Sequence, residues 1–295
     1  MKEKIIILAL IVAMCLWGAS WPSSKVLVAY APSHIIAFWR FFLVLGVSFF
    51  VLLVLKISFK FAQKDFKWVF LAGLCNALYS LFFFAGLNYG AAGKGGVLVT
   101  TTVPLFAFIL LRLAQIFKAH KEKLEKIPLN QALGLILGIL AGLCLLNLSS
   151  TDEIFSKFNA FFLIAAFDWA LMSLITHKVK INPLVLSFWV TLIATLCFLP
   201  VLFDERAFFL LDADFKFWAN FIFLGIFSTL IGTGIYYLGI AYLGAIRANS
   251  FMLIVPAAAL FTSYLLLDEI PSVLTLFGAF LAIISIYLMN KRAKN

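Results

Sequence analysis

Charge is scarce in this chain. Only 12% of its 295 residues are Asp, Glu, Lys or Arg, against about 25% in a soluble domain. Histidine occurs three times and cysteine four times. Cys15, Cys75, Cys144 and Cys197 lie far apart, each in a different apolar run, and no two form a CxxC pair. A zinc site or disulfide framework is therefore not expected, nor is any other cofactor. No P-loop is present, which argues against direct drive by ATP. No polar stretch is long enough for a soluble domain.

What the chain has instead is hydrocarbon. It is 64% hydrophobic, with 34 Phe and a mean hydropathy of +1.10. A soluble core has no room for this much apolar surface, so lipid must solvate much of it. A bilayer core of about 30 Å needs roughly 20 apolar residues in a helix. Windows of that kind begin near Ile5, Ile35, Lys67, Gly95, Leu129, Asn159, Pro183, Phe215, Gly244 and Pro271. Open backbone is prohibitive in lipid and the windows are too long for barrel strands, so the spans read as ten helices. The basic start and apolar run of residues 1–16 resemble a signal peptide. Met14 before Cys15 does not fit a lipoprotein site, and nine more spans follow, so a retained first helix is expected.

The net charge of +10 would suggest nucleic acid in a soluble protein. Placed on ten spans, it suggests an orientation. Seventeen Lys and Arg fall on the side of both termini and five on the other (Lys25, Lys94, Lys157, Arg206 and Lys216), with Arg40 inside span two. That bias predicts cytoplasmic termini in a cytoplasmic or inner membrane, and no nucleic-acid partner.

Rare residues recur about 150 positions apart. Trp17 matches Trp169, Phe38-Trp39 matches Phe188-Trp189, and Trp68 matches Trp218. Gly73 matches Gly225, Pro104 matches Pro256, and Gly90-Ala91 matches Gly244-Ala245. Glu125 precedes Gly134 by nine residues, as Glu269 precedes Gly278, with extra residues around 114–121 in the first copy. Two units are expected, 1–150 and 151–295. Each holds five spans, an odd number, so the second enters the membrane from the opposite side. Such inverted repeats open to either side with similar energy, the architecture alternating access requires.

The residues of the repeat also carry a resemblance. The chain reads Trp17-Gly18-Ala19-Ser20-Trp21-Pro22 in its first span, then Gly244-Ala245-Ile246-Arg247-Ala248-Asn249-Ser250 before Val255-Pro256. Leu267-Asp268-Glu269-Ile270-Pro271 follows, with Gly278-Ala279 beyond it. Over essentially its whole length it looks like the EamA-type branch of the drug/metabolite transporter superfamily, built as two five-helix repeats. The resemblance implies secondary transport of a small metabolite, often an amino acid or related compound and frequently as export. Its partners would be that substrate, the bilayer, and a coupling proton or counter-substrate.

Several residues are candidates for the transport path. Pro104 and Pro256 free the carbonyls of Thr100 and Met252, which lipid tolerates only where protein or a wet cavity covers them. Thr100 and Thr101 set hydroxyls beside the first break. Asp168 is the one acid in mid-span, where it must pair, be protonated or bind a cationic group. Arg40, about two turns into span two, either snorkels to the surface or holds a substrate carboxylate, and Lys25 raises the same question. Trp17, Trp21, Trp169, Tyr79, Tyr236 and Asn249 complete the set as stacking or polar groups. The competing classes are a polytopic enzyme acting on a lipid-linked substrate and a non-transporting scaffold. The first should cluster carboxylates, His or Arg at one membrane surface, and this chain has no such cluster.

Overall fold

An apolar run in lipid has to satisfy its own backbone, and these runs do so as helices. The computed structural model describes residues 2–118, 129–146, 156–176, 178–243 and 251–290, among which there is no β-strand. In chain order the rods are α1 (Lys2–Leu27), α2 (Ser33–Val54), α3 (Phe66–Leu87), α4 (Ala92–Lys118) and α5 (Leu129–Leu146). There follow α6 (Lys157–Thr176), α7 (Pro183–Cys197), α8, α9 (Ile254–Leu267) and α10 (Val273–Asn290). α8 passes through three consecutive segments: α-helical Phe215–Ile222, π-helical Phe223–Gly232 and α-helical Thr233–Leu243. Among the described residues seven helices are long and apolar enough to cross a membrane. Three shorter apolar ones, Leu129–Leu145, Phe251–Leu267 and Val273–Leu288, accompany them.

Successive rods run in opposite directions, so Lys2, the α2–α3 turn and Asn290 share one end of the bundle. The opposite end carries Lys25, the α3–α4 turn and the α9–α10 turn, which hydrogen bonds bring together. Between the first five rods and the last five, the main packing joins α1 to α8 and α9, α2 to α7 and α8, α3 to α6 and α7, α4 to α6 and α9, and α5 to α10. Exchanging α1–α5 for α6–α10 maps this set of pairings onto itself.

Individual bonds obey the same exchange. The Trp39 indole N–H donates to the Ala207 carbonyl (2.6 Å) in the α7–α8 connection, and Trp189 donates to Phe59 (2.9 Å) in the α2–α3 connection. Gly73 of α3 lies against Ile193 of α7, and Gly225 of α8 lies against Leu43 of α2. In lipid the close approach of small residues supplies packing that water would otherwise drive. Gly18 is tighter still: a Cβ there would lie 2.4 Å from the Ala258 Cβ and 2.9 Å from its carbonyl carbon.

The largest buried cluster lies wholly in the half of the bundle away from the termini. It runs from Trp21, Phe38 and Phe84 through Val97 and Phe162 to Phe217. Smaller clusters, around Met14, Leu52 and Cys75, occupy the other half among the described residues. Large side chains such as Phe50, Leu78, Ile136 and Phe280 point outward, as a lipid-facing surface requires. At the far end, Asp214 caps α8: its carboxylate accepts from the Phe217 N–H (2.8 Å) and the Tyr30 hydroxyl (2.7 Å). These bonds hold the Asp214 carboxyl below the usual range and push the Tyr30 phenol up.

Gly18→Val should lower stability by about 1–3 kcal/mol, the cost of overpacking. Gly46→Ala, at a site with nothing within 4 Å, should be neutral or slightly stabilising. Thermal unfolding in detergent compares them, and equal losses would refute the close-approach account. A carboxyl depressed by folding stabilises above its unfolded value and loses that contribution as pH falls through its folded value. Asp214→Ala should therefore unfold earlier at pH 7, with the gap to the parent persisting near pH 4 and closing only below about 3.9.

Candidate functional site

Arg40 and Asp168 enter the bundle from different rods and converge on the middle of α3. Arg40 of α2 is 9% exposed. Its guanidinium donates to the Ser80 hydroxyl (2.6 Å) and lies over the Phe41 and Phe84 rings at 4.6 and 5.2 Å, while Nε has no partner. The snorkelling reading is therefore corrected: two aromatic faces and a buried serine hold the charge inside. Asp168 of α6 is 7% exposed, beside the Cys75 thiol and the backbone of Tyr79. Its Oδ2 is buried without a hydrogen-bond partner. Both charged groups act electrostatically on Tyr79.

An aromatic chain continues from this point. Tyr79 packs against Trp169 (4.7 Å between centroids) and Phe83 (5.7 Å), and Phe83 against Trp21 (4.8 Å), which also meets Phe162. Trp17 lies one turn before Trp21 on the same face of α1. It donates to the Ser228 carbonyl (3.1 Å) and packs against Tyr236 at 5.1 Å. Trp17–Tyr236 joins α1 to α8, and Trp169–Tyr79 joins α6 to α3, so the repeat-related tryptophans occupy equivalent seams.

The Trp17 bond falls within the π-helical stretch of α8. A π turn displaces carbonyls from the α-helical ladder and is often found at functional sites. The indole N–H satisfies one of them, and the Thr229 hydroxyl donates to the Leu224 carbonyl (2.8 Å) inside the same stretch.

The remaining candidates are not gathered here. Thr100 and Thr101 turn their hydroxyls back to the carbonyls of Gly96 (2.6 Å) and Val97 (2.8 Å), so they serve α4 itself rather than a cavity. Pro104 is inside α4, as expected. Pro256 instead lies in the first turn of α9, after a 3₁₀ turn at Phe251–Leu253. The two prolines therefore do not make equivalent mid-helix breaks. Pro22 is a second interior proline, in α1. Asn249 lies outside the described residues. Lys25 does not snorkel either, since it donates to the Leu87 and Gly90 carbonyls.

Cys75, Ser80 and Ser228 belong to the cluster although nothing in the sequence marked them. A cysteine or serine in an apolar run looks like any small core residue, and only its neighbours distinguish it. Among the described residues no group of His, Cys, Asp or Glu is placed to hold a metal ion. The arrangement offers a buried guanidinium and a buried carboxyl group, each with an unmet polar atom, both near Tyr79.

Trp17→Phe should lower the unfolding temperature in detergent by removing the indole bond to the Ser228 carbonyl, about 0.5–1.5 kcal/mol for one hydrogen bond. Tyr236→Phe keeps the ring contact and should cost less. The reverse order would overturn the role given to the indole bond.

Comparison with known proteins places this geometry in a family. The model of the EamA-like transporter family matches residues 4–148 and again 157–291. An uncharacterized transporter of Archaeoglobus fulgidus is 28% identical over 298 residues, covering 98% of this chain and 99% of the relative. The uncharacterized transporter YdfC of Bacillus subtilis is also 28% identical, over 89% of this chain and 83% of its own length. A crystal structure of another protein superposes with a TM-score of 0.62 at 15% identity, over 97% of this chain and 96% of the other, and so shares the fold. The chain is a polytopic membrane protein and belongs to the EamA-like transporter family.

Proposed function

We propose that this protein is a ten-span secondary transporter that moves a small zwitterionic metabolite, an amino acid or close relative, by alternating access. The observation that carries the reading is the buried pair Arg40 and Asp168, each with an unmet polar atom, facing Tyr79 from opposite rods. Removing an ion from water costs several kcal/mol unless a partner compensates, and ionisable groups in membrane helices mark substrate and ion paths. A substrate carboxylate would meet the guanidinium and its ammonium the carboxylate. Tyr79, Trp169 and Trp21 would supply an apolar and cation-binding wall.

Alternating access follows from the two five-rod units, 1–150 and 151–295. The double family match and the exchange symmetry of the packing support this division. Lys56, Lys60, Lys64, Lys178 and Lys180 gather at the terminal end, supporting cytoplasmic termini in a cytoplasmic membrane. Net flux in this reading is outward, in keeping with the family resemblance. A reporter fused after Asn295 that proved extracytoplasmic would reverse the orientation.

A second reading gives Asp168 the coupling proton, because it is the only acid in mid-span and one of its oxygens has no partner. Flux in proteoliposomes over an amino-acid panel tests both. Arg40→Gln should raise KM roughly 10–100-fold, the loss of one charged hydrogen bond. Asp168→Asn should do the same if it binds the ammonium. If it carries the proton, the variant should retain exchange and lose pH-driven accumulation. No flux with any panel member would refute the transport reading.

A further inference from the structure

The motif Asp268-Glu269-Ile270-Pro271 is not used by the substrate cluster. α9 stops at Leu267 because Asp268 adopts a left-handed conformation (φ 54°), which Asp tolerates better than most residues. The Asp268 and Glu269 N–H groups donate back to the carbonyls of Tyr264 (3.1 Å) and Ser263 (3.3 Å), which satisfies acceptors of the last turn around a left-handed cap residue. That stop turns Glu269 across to the start of α4. There Oε1 accepts from the Ala92 N–H (2.9 Å) and Oε2 from the Gly93 N–H (3.0 Å). These are first-turn donors with no partner in their own helix, and a carboxylate also suits the positive end of the helix dipole.

The other side of the same turn is held by the opposite charge. Lys25 of α1 donates to the Leu87 and Gly90 carbonyls at the end of α3, where a cation is favoured. It lies within electrostatic reach of Glu269. Gly95 and Gly96 come close enough to Trp21 that a Cβ would lie 3.1 Å from its ring. The continuous core of Trp21, Phe83 and Phe162 fills this end of the bundle. Beside the clasp is a cavity of about 250 Å³, bordered by Lys94, Cys144, Ser263 and Glu269. Both Glu269 bonds run from a connection of the second five-rod unit to a helix of the first, so the units cannot part here without breaking them.

We propose that the Glu269 clasp on α4 is the latch that holds this conformation sealed at the end away from the termini, and that each transport cycle releases it. This inference rests on the alternating-access reading. Releasing the latch opens the far end and closes the terminal end, where Ser187 borders a small cavity between α2, α7 and α8.

The test uses the full chain in nanodiscs, where both ends meet water. Maleimide labelling of Cys144, and of a cysteine placed by Ser187→Cys, is read by peptide mass spectrometry in the parent and in Glu269→Ala. Glu269→Gln, which keeps the shape and one acceptor, serves if the alanine variant does not fold. The expected result is a rise in Cys144 labelling of roughly tenfold, within the range conformational couplings span, with a fall at position 187. Unchanged labelling at both sites would overturn the proposal. A rise at Cys144 alone would also overturn it, because it would make Glu269 a helix cap and nothing more. Flux is measured separately: a parent that labels as expected but carries no panel substrate refutes the transport reading, and with it the release in each cycle, and leaves only the seal of the far end by Glu269 standing.

Discussion

Hydrocarbon offers no hydrogen bonds, and that constraint governs this protein at every scale. It forces the backbone into helices, and it obliges each buried side-chain donor or acceptor to find a partner within the bundle. The indole of Trp39 reaches Ala207, that of Trp189 reaches Phe59, and that of Trp17 reaches a carbonyl displaced by a π turn. Thr100 and Thr101 bond back to their own helix. The Arg40 Nε and Asp168 Oδ2 stay unmet, as do the Ser24 and Ser263 hydroxyls, and the first two belong to ionisable side chains.

Duplication gives the same constraint two solutions at once. Gly73 on Ile193 and Gly225 on Leu43 are one contact made twice, as are the Trp39 and Trp189 bonds. The copies nevertheless diverge where chemistry is concentrated. α8 carries ten π-helical residues while its counterpart α3 is an ordinary α-helix bearing Cys75, Tyr79 and Ser80. The scaffold is thus nearly symmetric and the charged cluster belongs to one side of it. The same division appears along the bundle axis. A continuous core and charged clasps occupy the end away from the termini, and separate small clusters occupy the other half among the described residues.

The helices, their alternation and the 150-residue repeat were legible in the sequence because each depends on local or periodic information. Length and apolarity define a span, and tryptophan is rare enough that three matched pairs are conspicuous. Asp168 was legible for the same reason, as a lone acid in an apolar run. Arg40 is visible in the sequence, but which of its two readings applies is not. Its distance from the helix end permitted snorkelling, and only the positions of Ser80, Phe41 and Phe84 show that the charge stays inside. The repeat spacing sets Pro256 level with Pro104, yet a 3₁₀ turn just before it puts it at the start of a helix. Glu269 stood in a recognisable motif, but its partners Ala92 and Gly93 lie about 177 residues away.

By itself, then, the sequence determined the solvent and the helical class, and its 150-residue recurrence motivates the proposed two-unit plan, since these follow from composition and from spacing along the chain. The tertiary structure alone decided which polar groups are satisfied and which are not. That distinction depends on side chains from different rods meeting in space, and no spacing along one rod encodes it. Cys75, Ser80, Ser228 and Glu269 gain their meaning only from what packs against them.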